Sequence, residues 1–278
     1  MKKNRVLILG KRGAVSKEIA NTFKKRKFNN FKIIDRKKKD IINNLSILNN
    51  LIENYKPTHI INCLALTGLV YCEKNIIKSY NVNSFFPFKL AELTKKKKLK
   101  LIHFSTDAVF DGYTKYKKYS EKDIPNPQSV YGKSKSLADK LLAPYKHVLI
   151  IRLPILFGPT NNKQIIEKLK SRLLNNKKVF ASSDIFSTPV YTPNLAEFIL
   201  STIIVKNKFS SKNLIHFTSK KYFSIFSLIK KIAKNLDKEH LVIKVKDSYF
   251  KSDVKKPKNL GLRSIFKYNT MHSENNYK

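Results

Sequence analysis

Tyr131 and Lys135 stand four residues apart in Ser129-Val-Tyr131-Gly-Lys-Ser-Lys135. On a helix that spacing puts both side chains on one face, where the ammonium favours the tyrosine anion and lowers its pKa. Upstream, the apolar run ending in Phe104-Ser-Thr106-Asp107 delivers a hydroxyl from a strand end, able to hold a substrate oxygen beside that phenol. Hydroxyl, phenol and ammonium together can move a proton onto or off a carbonyl or an alcohol.

Such a set needs a frame, and the hydrophobic pattern supplies one. Short apolar runs at Arg5–Gly10, Phe31–Asp35, His59–Cys63, Lys100–Ser105 and His147–Leu153 read as buried strands. They alternate with helical segments at Gly13–Lys27, Leu45–Tyr55, Ser84–Lys95 and Ser129–Leu142. Alternating strand and helix predicts an α/β fold with a doubly wound parallel sheet and ligands outside the carboxyl ends of its strands. The polar, proline-containing stretch Asp107–Gln128 reads as a long loop. After Pro154 the pattern loosens. Helices are expected at Lys163–Leu174, Asn194–Val205 and Phe223–Asn235, with strands at Leu214–Thr218 and Leu241–Val245. The reading is a nucleotide-binding core over residues 1–155 and a smaller mixed α/β substrate lobe over 156–278, with return elements packing on the core. The tail from Asn269 is expected to fray.

The first strand runs into Leu9-Gly10-Lys-Arg12-Gly13-Ala14-Val15-Ser16. Gly10 and Gly13 allow a tight turn and the approach of a pyrophosphate. The following helix offers amide donors from Ala14 and Val15 at its positive end. Ser16 stands where a third glycine would allow close packing. The second strand ends in Asp35-Arg36-Lys37: an acid suits a ribose 2′-hydroxyl, an arginine a 2′-phosphate. With Arg12 and Arg36 both present, NADPH is the expected cofactor and NADH the alternative. Asp40 and Ile41 are placed to flank the adenine.

These pieces resemble the extended short-chain dehydrogenase/reductases, in the branch of the dTDP-4-dehydrorhamnose reductases. The landmarks are Gly10-Lys-Arg-Gly13, Ile61-Asn62-Cys-Leu-Ala65, Ser105-Thr106-Asp107-Ala-Val109-Phe110, Tyr131-Gly-Lys-Ser-Lys135, Arg152, Thr188-Pro189-Val-Tyr191 and Lys256-Pro257-Lys-Asn259. The resemblance implies a Rossmann-type core. It makes Thr106 the triad hydroxyl, Tyr131 the general acid and Lys135 its tuner and holder of the nicotinamide ribose. Leu64, Ala65, Thr67 and Ser105 would border the cofactor, and Thr106, Asp107, Val109, Phe110, Arg152 and Lys256 the nucleotide-linked sugar. Asn83, with Asn81 as a competing alignment, matches an asparagine that is structural around the site. His103 is read as a strand-packing histidine. Two positions depart from the pattern: Tyr71 stands where many relatives have aspartate, and Lys256 replaces an arginine whose bidentate fork lysine cannot reproduce.

The implied activity is NADPH-dependent reduction of a nucleotide-linked 4-keto-6-deoxy sugar. The alternatives are an epimerase on the same fold and a non-catalytic, cofactor-binding regulatory subunit, a role known in the similar methionine adenosyltransferase β subunit. The 57 basic and 19 acidic residues give a net charge of +38, which attracts polyanions. The excess is nearly all lysine and accompanies no zinc-finger or RNA-recognition signature, so no specific nucleic-acid partner is expected. No apolar run is long enough to span a bilayer. Met-Lys-Lys-Asn-Arg leads straight into a strand, so a cytoplasmic protein is expected, with no membrane partner. A homodimer is compatible with the sequence. Cys63 and Cys72 read as small structural residues.

Overall fold

In the computed structural model the described residues are 4–35, 40–113, 118–159, 164–208, 213–251, 254 and 256–266. The first half alternates as the apolar pattern requires. It runs β1 (Val6–Leu9), α1 (Ala14–Lys25), β2 (Phe31–Ile34), α2 (Leu45–Tyr55), β3 (His59–Asn62), α3 (Leu69–Lys74), α4 (Ile76–Tyr80), α5 (Phe86–Lys96), β4 (Lys100–Thr106), α6 (Val130–Leu142) and β5 (Val148–Leu153). The second half carries β6 (Leu156–Phe157), α7 (Ile165–Leu174), β7 (Val179–Ser182), β8 (Phe186–Ser187), β9 (Val190–Tyr191), α8 (Thr192–Phe198), β10 (Leu214–His216), β11 (Phe223–Ser224), α9 (Ile225–Lys234), β12 (Val242–Val245) and β13 (Asn259–Leu260).

Six strands form the main sheet in the order β2-β1-β3-β4-β5-β10, every neighbouring pair parallel. The chain leaves β1 first towards β2 and then crosses to β3, which makes the β1/β3 boundary the switch point where such sheets bind ligands. Side chains alternate between two separate cores, as a pleated strand dictates. Val6 and Ile8 join Ile19 and Phe23 of α1 and Leu195 and Ile199. Leu7 and Leu9 join Leu48 and Leu51 of α2 and Leu90 of α5. Both sheet faces are therefore covered, which explains strands apolar along their whole length.

Where helix boundaries move, side-chain geometry explains the shift. The helix expected at Ser84–Lys95 begins at Phe86, after a π-helical turn over Asn81–Phe85. The wide turn carries Asn83, fully buried, into the interior. The helix expected to end at Val205 likewise becomes π-helical from Ile199. Phe223 and Ser224 pair as a strand with β8 before α9 starts. The short helices α3 and α4 lie between the strand expected to end at Cys63 and the helix expected from Ser84, where no element was expected. The tail from Asn269 lies outside the described residues.

A separate hydrophobic cluster forms beside the parallel pair β7–β12, where Ile166 and Leu173 of α7 meet Leu228, Ile229 and Ile232 of α9. Other parts of the second half return to the core: β10 extends the main sheet beside β5, and Leu195, Ala196 and Phe198 of α8 enter the core that α1 covers. The segment 256–262 then clasps the loop after β4. The amide of Asn259 donates to the Gly112 carbonyl at 3.2 Å, and β13 pairs with β8. Gly112 holds φ +71°, and a Cβ there would lie 2.6 Å from Pro257, so glycine is required on both counts. Among the described residues no helix is long and apolar enough to cross a membrane.

Candidate active site

A cleft of about 500 Å³ opens at the carboxyl ends of β1, β3, β4 and β5. On one side is the turn after β1. Gly10 takes φ +106°, and a Cβ on it would sit 3.0 Å from Leu64 and 3.3 Å from the Cys63 backbone. Gly13 caps α1 without any side-chain hydrogen bond, so the first amides of that helix face the cleft free of a capping side chain. Ser16 fills the third-glycine place. It is fully buried, and its hydroxyl donates to the carbonyls of Gly10 and Gly13. The substitution thus stitches the turn together. Arg12 pairs with Asp35 at 3.0 Å across the mouth, the arginine 58% exposed and the aspartate 12%.

On the other side stand Thr106, Tyr131 and Lys135, all in the cleft wall together with Ser105, Leu64, Ala65 and Thr67. Ser129 caps α6 by accepting from the Gly132 amide at 3.2 Å, which starts the helix at Val130, one residue before the phenol. Thr106 caps the turn that follows β4, accepting from the Ala108 amide at 3.2 Å and donating to Asp107 at 3.0 Å. It shares the cleft wall with Tyr131 and exerts a downward pull on the pKa of that phenol. What brings the two elements this close is Gly132. A Cβ at that position would fall 2.2 Å from the Ala108 carbonyl oxygen, a backbone atom that cannot swing away. Gly132→Ala is expected to push α6 off the turn, costing about 1–3 kcal/mol of stability and about 100-fold in turnover through misplacement of Tyr131. Urea unfolding and steady-state rates measure the two losses.

The electrostatics differ from the sequence expectation. Tyr131 is not lowered; burial pushes it up to about 12, against the smaller pull of the Thr106 hydroxyl. Lys135 is turned into the sheet instead of towards the phenol. Its amine group donates to the Phe104 carbonyl and meets His103 Nε2 at 3.1 Å. Burial brings Lys135 down to about 8, opposed by the charge of Asp139. Asp107 is raised to about 7, again by burial. A phenol with a high pKa keeps its proton at neutral pH, which suits an acid.

Several expected residues lie elsewhere. Ile41 is fully buried in the core beside Leu9 and Ile34, and Asp40 is exposed and accepts from the Asn43 side chain at 2.9 Å. Neither lines this cleft, because the loop after β2 tucks Ile41 inward. Arg36 lies outside the described residues. Val109 and Phe110, expected at the sugar, are enclosed with Tyr119 and Leu262. Phe110 stacks on Tyr119 with ring centroids 4.2 Å apart, so both side chains support the loop from beneath. Arg152 is also internal: it binds Asp139 at 2.8 Å, meets His216 at 3.3 Å and lies over the Phe110 ring. It faces the core because β5 is covered on both sides. Asp107 is buried behind Thr106, one carboxylate oxygen without a partner. Lys256 lines a second cleft, of about 920 Å³, with Tyr222, Phe250 and Lys246, and pairs with Asp247 at 3.2 Å. Tyr71 is 46% exposed on α3.

The asparagine is Asn83. It accepts from the Leu66 amide at 2.8 Å and donates to the Leu66 carbonyl and to Ser134, each at 3.0 Å, tying the loop after β3 to α6. Asn81 is exposed. Sequence reasoning missed Asn62 and Gln164, which line the cleft. It also took His103 for packing alone, although Asn62 ends β3 just where ligands gather. Cys63 and Cys72 are free thiols raised by burial.

A doubly wound parallel sheet, a glycine turn at its switch point and a hydroxyl–tyrosine–lysine set at the next strand end define an oxidoreductase of the short-chain dehydrogenase/reductase type. Within that class the chain belongs to the RmlD substrate binding domain family, whose model matches residues 4–273. It is 30% identical over 218 residues to a dTDP-4-dehydrorhamnose reductase of Aggregatibacter actinomycetemcomitans, covering 77% of this chain and 73% of that one. The crystal structure of a dTDP-4-dehydrorhamnose reductase from Clostridium acetobutylicum superposes with a TM-score of 0.82 at 28% identity, over 93% of this chain and 90% of the other. The reductase of Bacillus anthracis, solved in complex with NADP, shares the fold with a TM-score of 0.83 at 24% identity, over 94% and 90%.

Proposed function

We propose that the protein is an NADPH-dependent reductase of a nucleotide-linked 4-keto-6-deoxy sugar, of the kind named in its relatives. The observation that carries this is the meeting of Thr106, Tyr131 and Lys135 with the uncapped start of α1 in one cleft.

The close approach allowed by Gly10 and the free amides of Ala14 and Val15 fit a pyrophosphate. Arg12 and Asp35 stand at the end of β2, where the adenosine ribose belongs, and the exposed arginine suits a 2′-phosphate. Leu64, Ala65, Thr67 and Ser105 would flank the nicotinamide half. When bound, the cofactor supplies the hydride. Tyr131, which holds its proton through neutral pH, donates it to the sugar oxygen as negative charge develops there. Thr106 positions that oxygen at the same strand end. Lys256 and Lys246, with the rings of Tyr222 and Phe250, line the second cleft and suit a nucleotide diphosphate, the lysines acting as point charges and not as a fork.

The reading is tested by mixing purified protein and NADPH with dTDP- and UDP-linked 4-keto-6-deoxy sugars while the reduced nicotinamide absorbance is followed. Loss of absorbance coupled to a 6-deoxy sugar product supports it. No oxidation with any of them overturns it.

A further inference from the structure

The hydrogen bonds behind the cleft fix the positions of protons. Asn62 Oδ1 accepts from the Leu64 amide at 3.1 Å, so the orientation of the side-chain amide is set. Its Nδ2 group therefore faces His103 Nδ1, 3.1 Å away. An amide nitrogen only donates, so Nδ1 must accept and carries no hydrogen. A neutral imidazole bears one N–H, which is then on Nε2. That N–H meets Lys135 Nζ at 3.1 Å. An ammonium has donors alone and nothing with which to receive it, whereas an amine has a lone pair. All three side chains are buried.

We propose that Asn62 and His103 are positioning residues that dock Lys135 against β4 as an uncharged amine, so that the lysine joins Tyr131 as a cation only after it has taken up a proton. This rests on the reductase reading for its role in turnover, but the tautomer can be measured without it. The step is a simple proton uptake: Nζ binds one proton from solvent and no other bond is made. The Phe104 carbonyl can still accept from the ammonium, but the Nε2–H of His103 now opposes it, and the lysine is released towards the phenol on its own helix face. The charged and titratable groups around it are few. Asp139, one turn further along α6, favours the ammonium but is itself paired with Arg152 of β5. Tyr131 shares the cleft wall with Lys135, and Asp107 acts on that phenol. Burial lowers the proton affinity of Lys135 to about 8, so the docked amine prevails above that pH and the ammonium below it.

The test is nitrogen NMR of the full chain labelled at its six histidines, with His103→Gln to identify the signal. A bare Nδ1 and a protonated Nε2 at neutral pH are expected. An Nδ1–H tautomer, or an imidazolium, overturns the proposal. In Asn62→Asp the acceptor for Leu64 is kept while the donor to Nδ1 becomes an acceptor. The tautomer should then invert, and the alkaline fall in turnover should move up by about one pH unit or more. An unchanged tautomer in that variant also counts against the array. If no sugar is reduced yet the wild-type tautomer is Nε2–H, the proton arrangement stands and the reductase reading falls.

Discussion

Tyr131→Phe is expected to lower turnover by about 100- to 10,000-fold, the usual contribution of a positioned general acid. The phenol stands beside Thr106 in the cleft wall and keeps its proton to about 12. Phenylalanine preserves the ring and its packing beside Leu66 and Cys72, so the fold and nucleotide binding should be retained. Stopped-flow rates at saturating substrate, set beside the NADPH dissociation constant from fluorescence, separate the two quantities. A variant that keeps more than about a tenth of the rate would remove Tyr131 from the acid role.

The second large effect concerns stability. Arg152 and Asp139 are 4% and 5% exposed and 2.8 Å apart, linking β5 to the helix that carries Tyr131. Asp139→Ala strands a buried guanidinium, at a cost of about 3–5 kcal/mol. Replacing both partners, Asp139→Leu with Arg152→Met, removes the charges together and is expected to recover most of that loss. Urea midpoints of the two variants decide it: equal losses would mean that the pair contributes by volume and not by charge.

The legible part of this protein was the part governed by local rules. Strands β1 to β5 are buried on both faces, so their apolar runs stood out against lysine-rich surroundings, and α2 fell on its expected bounds, Leu45–Tyr55. The Tyr131–Lys135 spacing and the Gly10–Gly13 turn carry their chemistry in residue type, and both line the cleft wall or shape it. What stayed hidden depends on where side chains turn. Lys135 lies on the expected helix face, yet it bonds to β4 because the Phe104 carbonyl and His103 are within its reach. Arg152, Val109 and Phe110 bear residue types that suit a sugar nucleotide, but the loop after β4 folds beneath the site and encloses them. The π turn at 81–85 has no sequence period of its own, and Asn83 could be told from Asn81 only by which one faces inward.

The clasp of residues 256–262 on Gly112 makes the protein less modular than its two-part sequence suggests. The wall of the second cleft is built jointly by the loop after β4 and by a segment more than half the chain away. A chimera that takes its second half from a relative by joining at residue 155 would set a foreign Lys-Pro-x-Asn segment against a native Asp111-Gly112, where the glycine leaves no room for a Cβ. The wall of the second cleft therefore travels as a pair of segments, and a graft that moves one must move the other.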